Sequence, residues 1–186
     1  MLKYATVSSF VALALLFGGC GSDGKKKEQR TAPSNIISLS PIEDANSSID
    51  VLKTKEGFVL KSDPKKILVF DIYATWCAPC RAESEVLANI QKKFKQNVRI
   101  IGLSIEEDAS NDKLAAYKKK YHAAYTLTNS ANNQKLIDAI ATNLKIGQRF
   151  PIPLVAVYKD GKLVNYYAGA TEEEFIESDI KQALGK

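Results

Sequence analysis

The chain has 186 residues, 45% of them apolar, which is enough for one compact domain and a targeting segment. Its formal net charge of +5 is concentrated at the start, because residues 1–30 hold five cations and two carboxylates, a balance of +3. The remaining +2 argues against a phosphate-binding surface, so we expect no nucleic-acid partner.

The first 20 residues have the layout of a secretory signal. Lys3 is followed by a mostly apolar stretch over residues 4–17 and by two glycines. This stretch is shorter than the roughly 20 residues of a spanning helix, although an uncleaved anchor stays open. The glycines lead into Cys20, which resembles the acylated cysteine of a bacterial lipoprotein. The resemblance implies a signal peptide over residues 1–19 and an exported protein that Cys20 anchors to a lipid membrane, facing the periplasm or the cell exterior.

Residues 20–47 are predicted to form a flexible tether without regular structure, because they are mostly polar and lack apolar periodicity. The folded domain is expected over residues 48–186. Its first elements are two short strands, residues 49–53 and 58–61, which we expect to form a β-hairpin at the edge of the domain.

The next segments predict a strand-helix-strand unit. A nearly continuous apolar run over residues 67–74 is typical of a strand buried on both faces. Helical periodicity follows from residue 78 to about 95, and a second buried strand covers residues 98–105. The two strands of such a unit are parallel.

The remainder predicts three more helices and three more strands. The Asp160-Gly161 turn indicates an antiparallel hairpin, and the spacing of Thr171 and Glu174 is that of a capping box. We predict helices over residues 112–121, 135–144 and from 171 onward, and strands over 125–128, 154–158 and 163–168. The pattern indicates an α/β fold with a mixed central sheet.

Cys77 and Cys80 stand where the first buried strand gives way to a helix. The helix dipole and its unpaired amides lower the pKa of a thiol at this position, so Cys77 is predicted to attack and Cys80 to resolve a mixed disulfide. A bridge over two residues closes too small a loop to add much stability. A zinc site is the alternative, but the chain offers no second pair and only His122. We expect no metal and no cofactor.

The segment Ala74-Thr75-Trp76-Cys77-Ala78-Pro79-Cys80-Arg81-Ala82-Glu83 resembles the thioredoxin superfamily, specifically its membrane-tethered TlpA/ResA-like thiol:disulfide oxidoreductases. The stretch Phe150-Pro151-Ile152-Pro153 resembles their cis-proline loop. The resemblance implies a thioredoxin-like three-layer fold with a helical insertion before this loop. It also implies that Pro153 is cis, that Ile152 docks the substrate backbone, and that Trp76 belongs to the rim that meets substrate.

Two carboxyl groups are candidates for proton transfer. Asp71 interrupts the apolar run, where a buried carboxylate is costly, and thioredoxin has a proton-relaying aspartate at the matching position. Glu83 shares a helix face with Cys80, and TlpA/ResA-like proteins carry a glutamate there. The alternatives are an Asp71 that faces water at a sheet edge and a surface Glu83 paired with a cation.

The resemblance implies a reductase that receives electrons from a membrane donor of the CcdA or DsbD kind. Its substrates would be disulfide-containing exported proteins such as apocytochrome c during cytochrome c maturation. Ala78 and Pro79 provide no cation that could lower the pKa of Cys77 to the value of about 3.5 found in a strong oxidant. We therefore expect reduction. The alternatives are a disulfide oxidase or isomerase and a non-catalytic peptide-binding protein.

Overall fold

The computed structural model describes residues 35–44 and 46–186. The expected signal peptide, Cys20 and most of the expected tether lie outside these residues. The elements, in chain order, are β1 (Ile36–Leu39), β2 (Ile49–Lys53), β3 (Phe58–Leu60), β4 (Ile67–Tyr73), α1 (Ala78–Lys93), β5 (Val98–Ser104), α2 (Asn111–Lys120), β6 (Thr126–Thr128), α3 (Asn133–Leu144), β7 (Leu154–Lys159), β8 (Lys162–Ala168) and α4 (Glu173–Ala183).

A five-stranded mixed sheet, in the order β6-β5-β4-β7-β8, forms the middle of the domain. Strands β4, β5 and β6 are parallel, β7 is antiparallel to β4, and β8 is antiparallel to β7. All seven residues of β4 are buried, because this strand lies between β5 and β7 and both of its faces are covered. The mixed sheet and the parallel strand-helix-strand unit are confirmed.

Side-chain packing produces one core on each face of this sheet. On one face, α1, α2 and α4 contribute Leu87, Leu114 and Ile176 to a single cluster. On the other face, α3 and the N-terminal strands contribute Ile140 and Phe58. The expected three-layer α/β fold is confirmed, with α3 as the helical insertion before the proline loop. Across residues 35–44 and 46–186, no helix is both long and apolar enough to cross a membrane.

The N-terminal strands differ from the prediction in two respects. Strand β1, within a stretch expected to lack regular structure, pairs with β2 to make a three-stranded antiparallel sheet. Four residues flanked by polar chain give too short an alternation to be recognised, yet Ile37 and Leu39 are buried. The predicted hairpin is present but packs on the sheet face, where Phe58 contacts Phe70 and Tyr158 edge to face.

The start of α4 also differs from the prediction. Glu172 is the N-cap residue, and its side chain makes no capping hydrogen bond, so the predicted capping box at Thr171 was wrong. The backbone N–H of Thr171 instead donates to Oε2 of Glu83, 3.1 Å away in α1. A tertiary contact therefore replaces the local cap. The other elements begin and end within two residues of their predicted bounds.

Candidate active site

Cys77 and Cys80 form a disulfide of 2.08 Å at the start of α1. Cys77 is the N-cap residue, and Pro79 occupies the first turn, where a missing N–H has no cost. The amide of Cys80 lies 3.2 Å from Sγ of Cys77 and donates to it. This donor and the helix N-terminus would stabilise a thiolate on Cys77 in the reduced form. Cys80 is only 1% exposed, so it is shielded from external partners.

The proline loop lies against Cys77. The Ile152–Pro153 peptide bond is cis, and the carbonyl oxygen of Ile152 is 3.8 Å from Sγ of Cys77. The carbonyl of Pro153 accepts from the amide of Gly169, which ties the loop to the end of β8. Trp76, immediately before Cys77, is 63% exposed. The structure thus brings the three predicted substrate-binding residues, Trp76, Ile152 and Pro153, to the rim around Cys77.

The turn that leads into the cysteines is held by side chains that sequence reasoning missed. The amide and hydroxyl of Thr75 donate to the carboxylate of Glu106 at 2.6 and 3.1 Å. The guanidinium of Arg81 donates to the carbonyl of Thr75 at 3.1 and 3.2 Å. Burial raises the pKa of Glu106, but hydrogen bonds from Lys113 and Thr75 outweigh it and lower the pKa. An ionised Glu106 therefore fixes the approach to Trp76.

Asp71 occupies the middle of the central strand, paired with Gly102 of β5 and Val155 of β7. It is 2% exposed, which excludes the alternative of an edge position facing water. The phenol of Tyr125 donates to Oδ2 at 2.6 Å, whereas Oδ1 has no hydrogen-bond partner among the described groups. Burial raises the pKa of Asp71 to about 7, although the Tyr125 hydrogen bond opposes the rise.

Glu83 is also buried, at 2% exposure, which excludes a surface glutamate paired with a cation. Its Oε2 accepts from Thr171, and its Oε1 has no partner within the described part of the chain. Burial raises the pKa of Glu83 to about 7, and the Thr171 hydrogen bond only partly offsets that rise. Two carboxyl groups that titrate near neutral pH therefore lie inside the domain that carries the disulfide.

Ser84 and Tyr117 surround the carbonyl of Cys80. Ser84 Oγ is 3.0 Å and the Tyr117 hydroxyl 3.1 Å from this oxygen, and the two hydroxyls are 2.7 Å apart. Ser84 could have been found from its spacing, four residues after Cys80 on one helix face. Tyr117 gives no such signal. No group of three or more His, Cys, Asp or Glu residues in the described ranges is arranged to hold a metal ion.

The fold and the cysteine pair at the start of α1 define a thiol:disulfide oxidoreductase of the thioredoxin superfamily. Residues 44–184 match the family model described as Redoxin. The chain belongs to this family.

Curated relatives match parts of the chain. The "Thiol:disulfide interchange protein DsbE" of Yersinia pestis is 43% identical over 58 residues, covering 31% of this chain and 28% of that protein. The "Thioredoxin" of Coprinus comatus is 25% identical over 95 residues, covering 51% of this chain and 87% of that protein. The chain therefore aligns with less than a third of the DsbE protein.

Solved structures show the same fold at low identity. A "putative Thiol:disulfide interchange protein DsbE from Chlorobium tepidum" has a TM-score of 0.60 at 16% identity, covering 82% of this chain and 95% of that one. "StoA from Bacillus subtilis" has a TM-score of 0.54 at 12% identity, covering 78% and 96%. At these identities the likeness defines the fold alone.

Proposed function

We propose that this protein reduces disulfide bonds in exported polypeptides, with Cys77 as the attacking and Cys80 as the resolving residue. One observation carries the proposal. Cys77, 5% exposed in the disulfide, adjoins the exposed Trp76 and the carbonyl of Ile152, whereas Cys80 is 1% exposed and packs in the interior of a domain that also buries Asp71 and Glu83. We therefore assign the contact with substrate to Cys77 and the internal proton exchange to Cys80.

The reaction runs in two exchange steps. The Cys77 thiolate attacks one sulfur of the substrate disulfide, a Cys77–substrate bond forms, and the other substrate sulfur leaves and takes up a proton. Cys80 then transfers its proton to a carboxylate and attacks Cys77. The Cys77–substrate bond breaks, and the second substrate sulfur leaves as a thiolate, which takes up a proton from solvent while the carboxyl releases the one it accepted. The substrate gains two electrons, and the protein is left with the Cys77–Cys80 disulfide.

Asp71 is the proposed general base for Cys80, and Glu83 is the second candidate. A carboxyl with a pKa of about 7 can accept a proton from a thiol and return it at neutral pH, which an ordinary aspartate does poorly. Ile152 would dock the substrate backbone beside Pro153, and Trp76 would contact the substrate at the rim.

The residues around Cys77 support the reductive direction. Ala78 and Pro79 carry no charge, and the guanidinium of Arg81 is held by the carbonyl of Thr75. We therefore assign the stabilisation of the thiolate to the helix and to one amide, without the cation between the cysteines that a strong oxidant would use. A reductase in an oxidising compartment needs a supply of electrons, so we propose a membrane donor of the CcdA or DsbD kind. Apocytochrome c is the proposed substrate, and a lipidated Cys20 the proposed membrane anchor.

Insulin reduction with dithiothreitol as electron donor tests the activity. The wild type should accelerate the reaction, and Cys77→Ser should not. Equal rates for the two proteins would contradict an enzymatic role and would support a non-catalytic peptide-binding protein.

The reduction potential tests the direction. We expect a value near that of thioredoxin, about −270 mV, whereas a value near −120 mV would indicate an oxidase. The Cys80→Ser variant tests the substrate class, since it should retain exported partners as mixed disulfides on Cys77. Capture of no partner by a Cys77 that still reacts would contradict substrate-directed exchange.

A further inference from the structure

The phenol of Tyr125 lies beside Asp71 in the interior. Neither step of the proposed exchange reaction uses it. Tyr125 immediately precedes β6 and is 4% exposed, and its hydroxyl donates to Oδ2 of Asp71 at 2.6 Å. Because β5 separates β6 from β4, the ring must cross one strand to reach this carboxyl. A contact of this kind between residues 54 positions apart depends on the whole sheet.

Gly102 makes this crossing possible. It lies on β5 directly opposite Asp71, so a side chain there would point to the same face. An added Cβ would lie 2.5 Å from Cδ2 of Leu127, 3.2 Å from Tyr73 and 3.3 Å from the ring of Tyr125. The bare backbone at position 102 therefore leaves room for Leu127 and lets the Tyr125 ring pass without crowding.

The Tyr125 ring packs in the same core as the resolving cysteine, Cys80. Burial raises the pKa of Tyr125 well above its ordinary value, and the Ser84 hydroxyl partly opposes the rise. Ser84 in turn contacts the carbonyl of Cys80 and the hydroxyl of Tyr117. The Tyr125 ring, which binds Asp71, and the Tyr117 ring, whose hydroxyl contacts the Cys80 carbonyl, thus pack in the same core.

The two oxygens of the Asp71 carboxyl have different surroundings. Oδ2 is occupied by Tyr125, and Oδ1 has no partner among the described residues. The side chain of Asp71 lies on the β4 face that carries Val69 and Tyr73, and these two pack in the same core as Cys77 and Cys80. The oxygen without a partner is therefore the one available for proton exchange.

We infer that Tyr125 is a positioning residue whose phenol binds Oδ2 of Asp71 and thereby leaves Oδ1 as the oxygen that accepts the proton of Cys80. The inference rests on the proposed exchange reaction. In the resolving step the Cys80 S–H bond breaks, its proton joins Oδ1, and the sulfur forms its bond to Cys77 as the substrate sulfur leaves as a thiolate and takes up a proton from solvent. No further oxidant or reductant is required.

The inference predicts a pH effect. Ionisable groups face Asp71 from each surrounding element: Tyr125 before β6, Glu83 from α1, Tyr117 from α2 and Tyr73 on β4 itself. Of these, the Tyr125 hydrogen bond lowers the pKa of Asp71, and the negative charge of Glu83 raises it. Removal of the Tyr125 hydroxyl should therefore move this pKa further up.

A stopped-flow experiment tests the inference in the reduced full-length protein. Dithiobis(nitrobenzoate) reacts first with Cys77 and releases one coloured thiolate, and the attack by Cys80 releases the second. For Tyr125→Phe we expect the pH midpoint of the second release to rise by roughly one unit, so that the rate near pH 6 falls about tenfold. The first release should keep the wild-type rate.

Tyr73→Phe is the matched control, because it removes a buried phenol on the same face whose hydroxyl has no hydrogen-bond partner among residues 35–44 and 46–186. It should leave both releases unchanged. An unshifted midpoint in Tyr125→Phe, or an equal shift in Tyr73→Phe, would overturn the inference.

Two further measurements separate the inference from the proposed function. The carbon-13 shift of the Asp71 carboxyl, followed against pH in the oxidised protein, should have a higher midpoint in Tyr125→Phe. Gly102→Ala keeps the phenol but crowds it, and should shift the midpoint in the same direction. If Asp71→Asn removes the pH dependence while Tyr125→Phe does not change it, the inference fails and the reaction stands. If the wild type releases no second coloured thiolate, Cys80 does not resolve the mixed disulfide and the proposed reaction itself is contradicted.

Discussion

At the scale of single residues, burial of the Asp71 carboxyl lowers folding stability and also gives it a pKa suited to proton transfer. Its ordinary pKa of 3.8 is raised to about 7 by burial, and the groups that act on it are a phenol and a second carboxyl. Between these two pH values Asp71 is ionised in the unfolded chain and protonated in the folded one. Folding stability must therefore decrease as the pH rises through this window.

This cost can be measured with Asp71→Asn, which retains an acceptor for Tyr125 but cannot ionise. Above pH 7 the wild type carries the full cost of a buried charge, and at pH 3 it carries none. The oxidised variant should exceed the wild type in free energy of unfolding by about 2 kcal/mol or more at pH 8, and by much less at pH 4. Urea denaturation at the two pH values measures the difference. A difference independent of pH would contradict the raised pKa.

Glu83 allows a second comparison at this scale. Glu83→Gln keeps an acceptor for the Thr171 amide but removes the ionisable group, so insulin reduction near pH 7 should slow by roughly tenfold or more if Glu83 transfers protons. Glu85→Gln, two residues along the same helix and exposed, is the control and should keep the wild-type rate. Equal rates in both variants would leave Asp71 as the sole base.

The site residues differ in how far the sequence could reveal them. Asp71 and Glu83 could be singled out because a charge within an apolar strand, or beside a reactive cysteine on one helix face, is itself a signal. Tyr125 and Tyr117 could not, since their partners lie 54 and 37 positions away and only the folded sheet brings them together. Contacts at short spacing are readable from sequence, and contacts across the sheet are not.

At the scale of elements, the same limit explains β1. Its pairing partner β2 starts ten residues after β1 ends, and its two buried side chains are separated by a serine. The sequence predicted a flexible tether here because polar residues surround the two apolar side chains. In the structure, Leu39 is fully buried with Phe70 and Ile137 in the core beneath the central sheet. The folded domain therefore begins earlier than residue 48.

Leu39→Ala tests this boundary. Loss of a fully buried leucine should lower the free energy of unfolding by about 2–4 kcal/mol. Ser38→Ala, on the exposed face of the same strand, should cost about 1 kcal/mol or less. Urea denaturation followed by circular dichroism measures both. Equal, small effects would mean that β1 does not belong to the cooperative domain.

At the scale of the whole molecule, the two sheets are joined at a close contact far from the cysteines in sequence. Thr54 Oγ1 donates to the carbonyl of Gly161 at 2.7 Å and also accepts from the amide of Gly57. A Cβ at Gly57 would lie 2.7 Å from the ring of Tyr158 and 2.9 Å from that carbonyl. Only a residue without a side chain lets the β2–β3 turn reach the β7–β8 turn.

Gly57→Ala should therefore separate the two sheets locally. We expect a loss of about 1–3 kcal/mol in the free energy of unfolding, as for other overpacked contacts. Lys55→Ala, exposed in the same turn, is the control and should change stability by less than about 0.5 kcal/mol. Insulin reduction by the folded fraction should be unchanged in both variants. If Gly57→Ala leaves the free energy of unfolding unchanged, the contact between the β2–β3 turn and the β7–β8 turn is not tightly packed.

Gly102 has a consequence for how related chains can diverge. A side chain at this position would overlap Leu127 and crowd the Tyr125 ring beside Asp71, so we expect positions 71, 102 and 125 to change together. Among close relatives, those with a phenol at the position matching 125 should keep glycine opposite the aspartate, and those with a larger residue there should have lost the phenol. The aspartate of such relatives would titrate at a different pH, and their working range would differ accordingly.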